Sequence, residues 1–328
     1  MSAGRILVTG GTGFIGSNIS RTLVEQGRNV VVYGKSAPSG HHVLTDVLDR
    51  LKIEIGNVTD LSNLLRIIKN HGVEGIINCA AFLGAAANQR PIEALQVNII
   101  GAANMLEAAR IADLRRVVIT SSGGVTGAPQ DLLTPRKEED ICLPLVGIYP
   151  LSKLTAEQLV HTYRQLYKVD AIAIRPYTIF GPGLTRPYHP IVPVVEAAAR
   201  REPIHYETGG DTAFDLTYVK DFVKGAIGAY DCRSPRYYLY NVSFGRNRTM
   251  FQVCDVLKQL FPELPIKMGS GLWGGVLTKG EQTDLTYRMS QRPPQDITRA
   301  RQDFNFEPEW DLDRAIPDWI QWIQRGKY

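Results

Sequence analysis

Short apolar runs alternate with segments of helical spacing through the first 120 residues of the chain. Residues 5–9, rich in β-branched side chains, lead into Gly10-Gly11-Thr12-Gly13-Phe14-Ile15-Gly16. Apolar positions then recur at helical spacing to Gln26 and stop at Gly27, and residues 29–33 form a second apolar run. Further strands are predicted at 51–55, 75–79 and 116–120, and helices at 61–70, capped by Asp60, and at 91–109. Strands and helices alternating at this rhythm predict an α/β fold with a Rossmann-type, doubly wound parallel sheet. Ligands of such sheets lie beyond the carboxyl ends of the strands. The glycine-rich loop, Ala80-Ala81 and Ser121-Ser122 all fall at such ends.

Gly10, Gly13 and Gly16 sit between a strand and a helix, with a second strand following. Glycines there permit a tight turn, let backbone N–H groups approach a pyrophosphate and bring helix and strand close together. The unit therefore predicts dinucleotide binding. An NAD site of this kind ends its second strand on an acidic residue that binds ribose hydroxyls. This chain has Gly34-Lys35-Ser36 instead. A missing carboxylate and an added cation suit a 2′-phosphate, so Lys35 favours NADP, with NAD as the alternative. His41 and His42 read as solvated loop residues.

Tyr149 and Lys153 lie four positions apart and share one face of a helix. An ammonium beside a phenol favours the phenolate and draws its ordinary pKa of about 10 towards neutrality. Such a phenol is a general acid/base for an alcohol/ketone couple.

Composition narrows the partners. The chain has 328 residues, 44% hydrophobic and 21% charged, within the ordinary range for a globular protein. With 37 Lys+Arg against 33 Asp+Glu, net charge +4 and no dense basic block, neither nucleic acid nor a membrane surface is expected as partner. No run reaches the roughly 18 apolar residues that span a bilayer. A strand-like run opens already at Arg5, so no signal peptide is expected and the location read is cytoplasmic. Cys79, Cys142, Cys232 and Cys254 lack metal or redox spacing, and no metal site is expected.

The motifs in sequence resemble the extended short-chain dehydrogenase/reductase superfamily of sugar epimerases, dehydratases and reductases. They are Thr9-Gly10-Gly11-Thr12-Gly13-Phe14-Ile15-Gly16, the segment Asn98-Ile99-Ile100-Gly101-Ala102-Ala103-Asn104, and Ser121-Ser122 ahead of Val125-Thr126-Gly127. The Tyr149/Lys153 pair, Arg175-Pro176-Tyr177-Thr178-Ile179-Phe180-Gly181-Pro182, Asp215-Leu216-Thr217-Tyr218-Val219-Lys220-Asp221 and Asp296-Ile297-Thr298-Arg299-Ala300-Arg301 continue the series. The resemblance implies a catalytic set of Ser122, Tyr149 and Lys153. It implies cofactor contacts from Gly10, Gly13, Phe14, Ile15, Gly16, Asn57, Val58, Ala80, Ala81, Asn98, Ser121 and Tyr177, with Tyr149 and Lys153 also touching the cofactor. Substrate contacts would come from Ser122, Gly123, Tyr149, Thr178 and Arg186. It also implies a homodimer, with Leu95, Ile99, Leu106 and the helix after Lys153 as candidate seam, a buried helix face within the monomer being the competing account.

The chain departs from the pattern in three places. Dehydratases and decarboxylases of this group carry an acid just after the catalytic Ser/Thr, where this chain has Gly123-Gly124, so water elimination is disfavoured. Thr178 and Phe214 stand where nucleotide-sugar members usually have Asn and Arg. Arg186, Arg288 and Arg292 are candidate replacements for that charge. The resulting expectation is an NAD(P)-dependent epimerase of a sugar or nucleotide-sugar, with an NADP-dependent reductase of a sugar acid or other small carbonyl compound as the alternative. Residues 1–180 are expected to form the NAD(P)-binding domain, with a later contribution near 213–245, and residues 181–328 most of a discontinuous substrate lobe. Residues 269–275, with Trp273, read as a glycine-rich segment able to close over substrate.

Overall fold

The computed structural model describes residues 4–127, 133–141, 144–145, 147–185, 190–273 and 292–326. The strands are β1 (Arg5–Thr9), β2 (Val30–Gly34), β3 (Lys52–Ile55), β4 (Val73–Asn78), β5 (Arg116–Thr120) and β6 (Ala171–Arg175). They continue with β7 (Thr178–Phe180), β8 (Ile204–Tyr206), β9 (Ala213–Tyr218), β10 (Leu239–Asn241), β11 (Asn247–Thr249) and β12 (Ile266–Met268). A seven-stranded parallel sheet has the order β10-β6-β5-β4-β1-β2-β3. The chain leaves β1 towards β2 and β3, then returns to lay β4, β5 and β6 on the other side. The reversal between β1 and β4 opens the crevice where such sheets bind ligands.

Both faces of the sheet are apolar, with successive residues serving opposite layers. Ile6, Val8, Val30, Val32, Val118, Ile172 and Ile174 pack with helices Phe14–Glu25 and Val219–Asp231. Leu7, Val31, Tyr33, Val117, Ile119, Ala171 and Ala173 pack with helices Leu61–His71, Gly101–Ala112 and Ile148–Tyr167. Alanines at 171 and 173 let the last of these helices lie close to β6.

The expected 91–109 helix is segmented. Pro91–Leu95 runs through a π turn, Gln96–Ile100, into Gly101–Ala112. The π turn carries Asn98, and such turns recur at functional sites because they re-aim one side chain. A third cluster joins helices Ile191–Ala199, Met250–Leu260 and Leu312–Arg325 around the fully buried Trp319. Two small sheets, β11-β9-β7 and β12-β8, border it.

Candidate active site

At the mouth of the crevice the glycine loop brings backbone against backbone. Gly10 has φ +62°, and a Cβ there would lie 2.7 Å from the Ala80 amide nitrogen at the end of β4. A Cβ on Gly16 would lie 2.3 Å from the Gly10 carbonyl oxygen, so the helix starts as close to β1 as main chains permit. Gly13, the exposed glycine of the three, caps Phe14–Glu25 with no side chain bonded to the leading N–H groups. A helix N-terminus presented this way fits a pyrophosphate.

Gly34 explains the missing acid at the end of β2. A Cβ there would stand 2.6 Å from Thr12 Oγ1, so the threonine occupies the space a carboxylate-bearing residue needs. Lys35 follows, exposed. His42 is not merely solvated, contrary to the sequence reading. Its Nδ1 accepts from the Leu44 N–H at 3.1 Å, which leaves Nε2 to donate to the Thr12 carbonyl at 2.9 Å and tether the glycine loop. Asn57 is exposed beyond β3, its carbonyl accepting from the Tyr33 hydroxyl at 2.9 Å. Val58 is instead a core residue, and its carbonyl accepts from Asn104.

Helix Ile148–Tyr167 carries Tyr149, Lys153 and Glu157 at successive turns on one face. Lys153 is 3% exposed and donates to the Thr120 carbonyl at the end of β5 at 2.7 Å. Burial lowers its pKa to about 8. Its Nζ lies 5.9 Å from the Tyr149 ring centroid. Glu157, which the sequence reading missed, binds Arg175 in a fully buried pair with contacts of 2.7 and 2.8 Å. Its signal was an acid one turn beyond Lys153 on the sheet-facing side of the helix.

That carboxylate also takes the Ser121 hydroxyl at 2.5 Å. The side chain of Ser121, expected to touch cofactor, is therefore spent on anchoring the helix. The Asn98 amide is likewise engaged, bonded to both backbone groups of Phe82 and to Ser152 Oγ at 2.9 Å. Asn98 thus ties helix Ile148–Tyr167 to the loop after β4.

Ser122 caps the short turn Gly123–Thr126, its hydroxyl accepting from the Gly124 N–H at 3.0 Å. A Cβ on Gly124 would lie 3.2 Å from Ser122 Oγ, 3.8 Å from Pro150 Cβ and 3.9 Å from Arg292 Nη1. The serine turn, the helix of Tyr149 and Arg292 thus meet at one point. Tyr177 lies against Gly123, bonded to Arg292 and pushed above the ordinary tyrosine pKa by burial.

Phe14, Ile15, Ala80, Ala81 and Thr178 are partly exposed around the crevice and its far wall. Arg186 and Arg288 lie outside the described residues, as does Cys142. Trp273 is pinned: its backbone N–H donates to Thr212 Oγ1 at 2.6 Å and its ring packs tilted against Tyr206, centroids 4.5 Å apart. The described part of the 269–275 segment is therefore held down, and Gly274 and Gly275 lie outside it. Leu106, a candidate for a dimer seam, is wholly buried within the monomer. No described helix is long and apolar enough to cross a membrane.

Residues 6–242 match the NAD dependent epimerase/dehydratase family. A UDP-glucuronate 4-epimerase of Thermodesulfobacterium geofontis (strain OPF15) is 24% identical over 341 residues, covering 98% of this chain and 97% of that one. The structure of UDP-glucose 4-epimerase from Thermotoga maritima with UDP-glucose has a TM-score of 0.82 at 23% identity, covering 99% of this chain and 100% of that one. MoeE5 in complex with UDP-glucuronic acid and NAD has a TM-score of 0.78 at 26% identity, covering 98% and 100%. With the family match spanning most of the chain, this protein belongs to the NAD dependent epimerase/dehydratase family.

Proposed function

We propose that this chain is an NAD(P)-dependent epimerase of a nucleotide-sugar, oxidising one carbinol carbon and reducing it again on its other face. The observation that carries the reading is Lys153, a buried cation held by the Thr120 carbonyl one turn from Tyr149, beside the strand end that leads to Ser122. Burying a charge is costly, and a group kept that way in a crevice is a candidate for chemistry.

Bound in the crevice, a nicotinamide supplies the hydride acceptor and afterwards the donor. The loop from Gly10 to Gly16 and the helix N-terminus behind it would hold the pyrophosphate. Asn57 and the Val58 backbone would hold the adenine end, and Tyr177 would line the nicotinamide side. Tyr149 takes the hydroxyl proton as the carbon–hydrogen bond breaks and its electron pair leaves with the hydride. Lys153 stabilises the phenolate, and Ser122 donates to the reacting oxygen. On the return step the phenol gives the proton back, so the site ends as it began.

Such an epimerase retains its cofactor. Denaturing the purified protein should release about one nicotinamide nucleotide per chain, and UDP-glucose or UDP-glucuronate should equilibrate with its C4 epimer without net cofactor change. An empty protein that consumes NADPH stoichiometrically would sink this reading. It would favour an NADP-dependent reductase of a sugar acid, supported by the exposed Lys35 and by Thr12 filling the acid's place at Gly34. Titration with NADP and NAD, read by protein fluorescence, separates the cofactors, and Lys35→Ala should weaken NADP alone. The exposed apolar residues Ile92, Ile100 and Leu151 favour self-association through helix Pro91–Leu95, the π turn Gln96–Ile100 and helix Ile148–Tyr167. Light scattering tests that.

A further inference from the structure

The helix that carries Tyr149 starts without a cap of its own. Its N-cap residue, Gly147, has φ +109°, a conformation open to glycine and strained for the Ser, Thr or Asp that usually caps a helix. Pro150, in the first turn, has no N–H to satisfy. The Leu151 N–H reaches back to the Gly147 carbonyl at 3.4 Å, a stretched bond. The Ile148 N–H, next to Tyr149, is bonded from outside the helix. It donates to Asn88 Oδ1 at 3.0 Å, across 60 positions of chain.

Asn88 is itself held in place for that bond. It lies on the short helix Gly84–Gln89, whose Ala87 is wholly buried. Ahead of this helix, both backbone groups of Phe82 are bonded to the Asn98 amide, at 2.7 and 2.9 Å. Behind it, the Arg90 guanidinium lies 4.6 Å over the Phe82 ring and pairs with Glu93 at 3.2 Å. The approach to the helix start is close, since a Cβ on Gly147 would lie 3.6 Å from Asn88 Oδ1. The Tyr149 carbonyl is fixed too, accepting from Ser152 Oγ at 2.7 Å, and Ser152 Oγ accepts from Asn98. The backbone around Tyr149 is thus gripped by Asn88 and, through Ser152, by Asn98, both in the connection between β4 and β5.

We propose that Asn88 is a positioning residue for proton transfer: it caps the helix from outside and so holds the Tyr149 phenol within reach of the reacting oxygen. The inference rests on the proposed role of Tyr149 in a nucleotide-sugar epimerase. A first turn without a cap frays, and Tyr149 is the second residue of that turn. Losing the bond at Ile148 therefore reaches the phenol first. Lys153, one turn on, is anchored separately to the Thr120 carbonyl. The glycine loop and the serine turn have bonds of their own, from the Gly11 N–H to the Tyr33 carbonyl and from the Gly123 N–H to the Pro176 carbonyl. Removing the Asn88 side chain thus disturbs the proton-transfer step and spares ligand binding.

The test compares Asn88→Ala with Asn88→Asp, which keeps an acceptor oxygen in the same place. Epimerisation of UDP-glucose and UDP-glucuronate gives kcat and KM, and backbone amide exchange read by mass spectrometry reports on the first turn. Asn88→Ala should lower kcat about three- to thirty-fold, the free energy of a lost cap expressed as a rate. KM and bound nucleotide should stay within about two-fold of the wild type, the pattern of a group that acts on the chemical step. Peptides covering 147–153 should exchange about ten-fold faster, and those covering 158–167 at the wild-type rate. Asn88→Asp should bring kcat and exchange back close to wild type. An unchanged kcat in Asn88→Ala would overturn the inference, and so would equal losses in both variants, since the acceptor would then not matter. A loss carried by KM or by bound nucleotide would overturn it too, placing Asn88 in ligand binding. A wild type that turns over neither sugar sinks the epimerase reading instead. Exchange then decides the cap alone: it stands if 147–153 opens in Asn88→Ala and falls if it does not.

Discussion

Replacing Lys153 by Met should stabilise the cofactor-free chain at neutral pH while destroying its activity. The ammonium is 3% exposed, and burial lowers its pKa from the ordinary 10.5 to about 8. At 1.36 kcal/mol per pKa unit that difference amounts to about 3 kcal/mol of unfavourable burial at pH 7. Methionine fills similar volume without charge, and the bond lost to the Thr120 carbonyl returns about 1 kcal/mol. The net gain is about 2 kcal/mol. The folded chain holds fewer protons than the unfolded chain between pH 8 and 10.5, so wild-type stability climbs with pH across that window. Below about pH 8 the penalty is present in full, and above 10.5 it is gone. Denaturant unfolding of both proteins at pH 7 and pH 10.5 should therefore show the variant ahead at the lower pH and level or behind at the higher. Other titrating groups cancel in the difference. A gap that does not change with pH would refute the account of Lys153 as a buried charge held against its hydration.

Three further substitutions probe the rest of the site. Tyr149→Phe should reduce turnover about 10²- to 10⁴-fold, the share of a general acid/base, with cofactor still bound to the purified variant. Gly16→Ala forces a Cβ to 2.3 Å from the Gly10 carbonyl oxygen. It should cost about 1–3 kcal/mol by thermal unfolding and weaken nucleotide binding, because the helix must back away from β1. Glu157→Leu strands the fully buried Arg175 and should cost about 3–5 kcal/mol by denaturant unfolding. The double variant Glu157→Leu/Arg175→Met should lose much less than that, since no unpaired charge remains.

The doubly wound sheet was legible because its signals are local. Strands 5–9, 29–33 and 116–120 are apolar at consecutive central positions (Ile6-Leu7-Val8, Val30-Val31-Val32 and Val117-Val118-Ile119), the pattern of strands covered on both faces. The spacing of Tyr149 and Lys153 places them on one helical face whatever surrounds them. The glycine loop declares itself through residues that only close backbone approach demands. Gly34 was legible as a missing acid, but the reason was not. Thr12, distant in sequence, stands where that acid's side chain would go.

What the sequence determined by itself was the architecture and the placement of Tyr149 and Lys153 on one helical face, because periodicity and chain-neighbour spacing encode both. Tertiary structure alone decided how polar groups are spent. Ser121 and Asn98 looked free for a cofactor until Glu157, Phe82 and Ser152 took their hydrogen bonds. His42 looked solvated until it met Thr12. Arg292, one of several candidate surface cations, reaches the serine turn from 169 residues away in the chain. A hydrogen bond or an unpaired charge is a property of two or more groups, and strand pairing, not sequence proximity, chooses which groups those are.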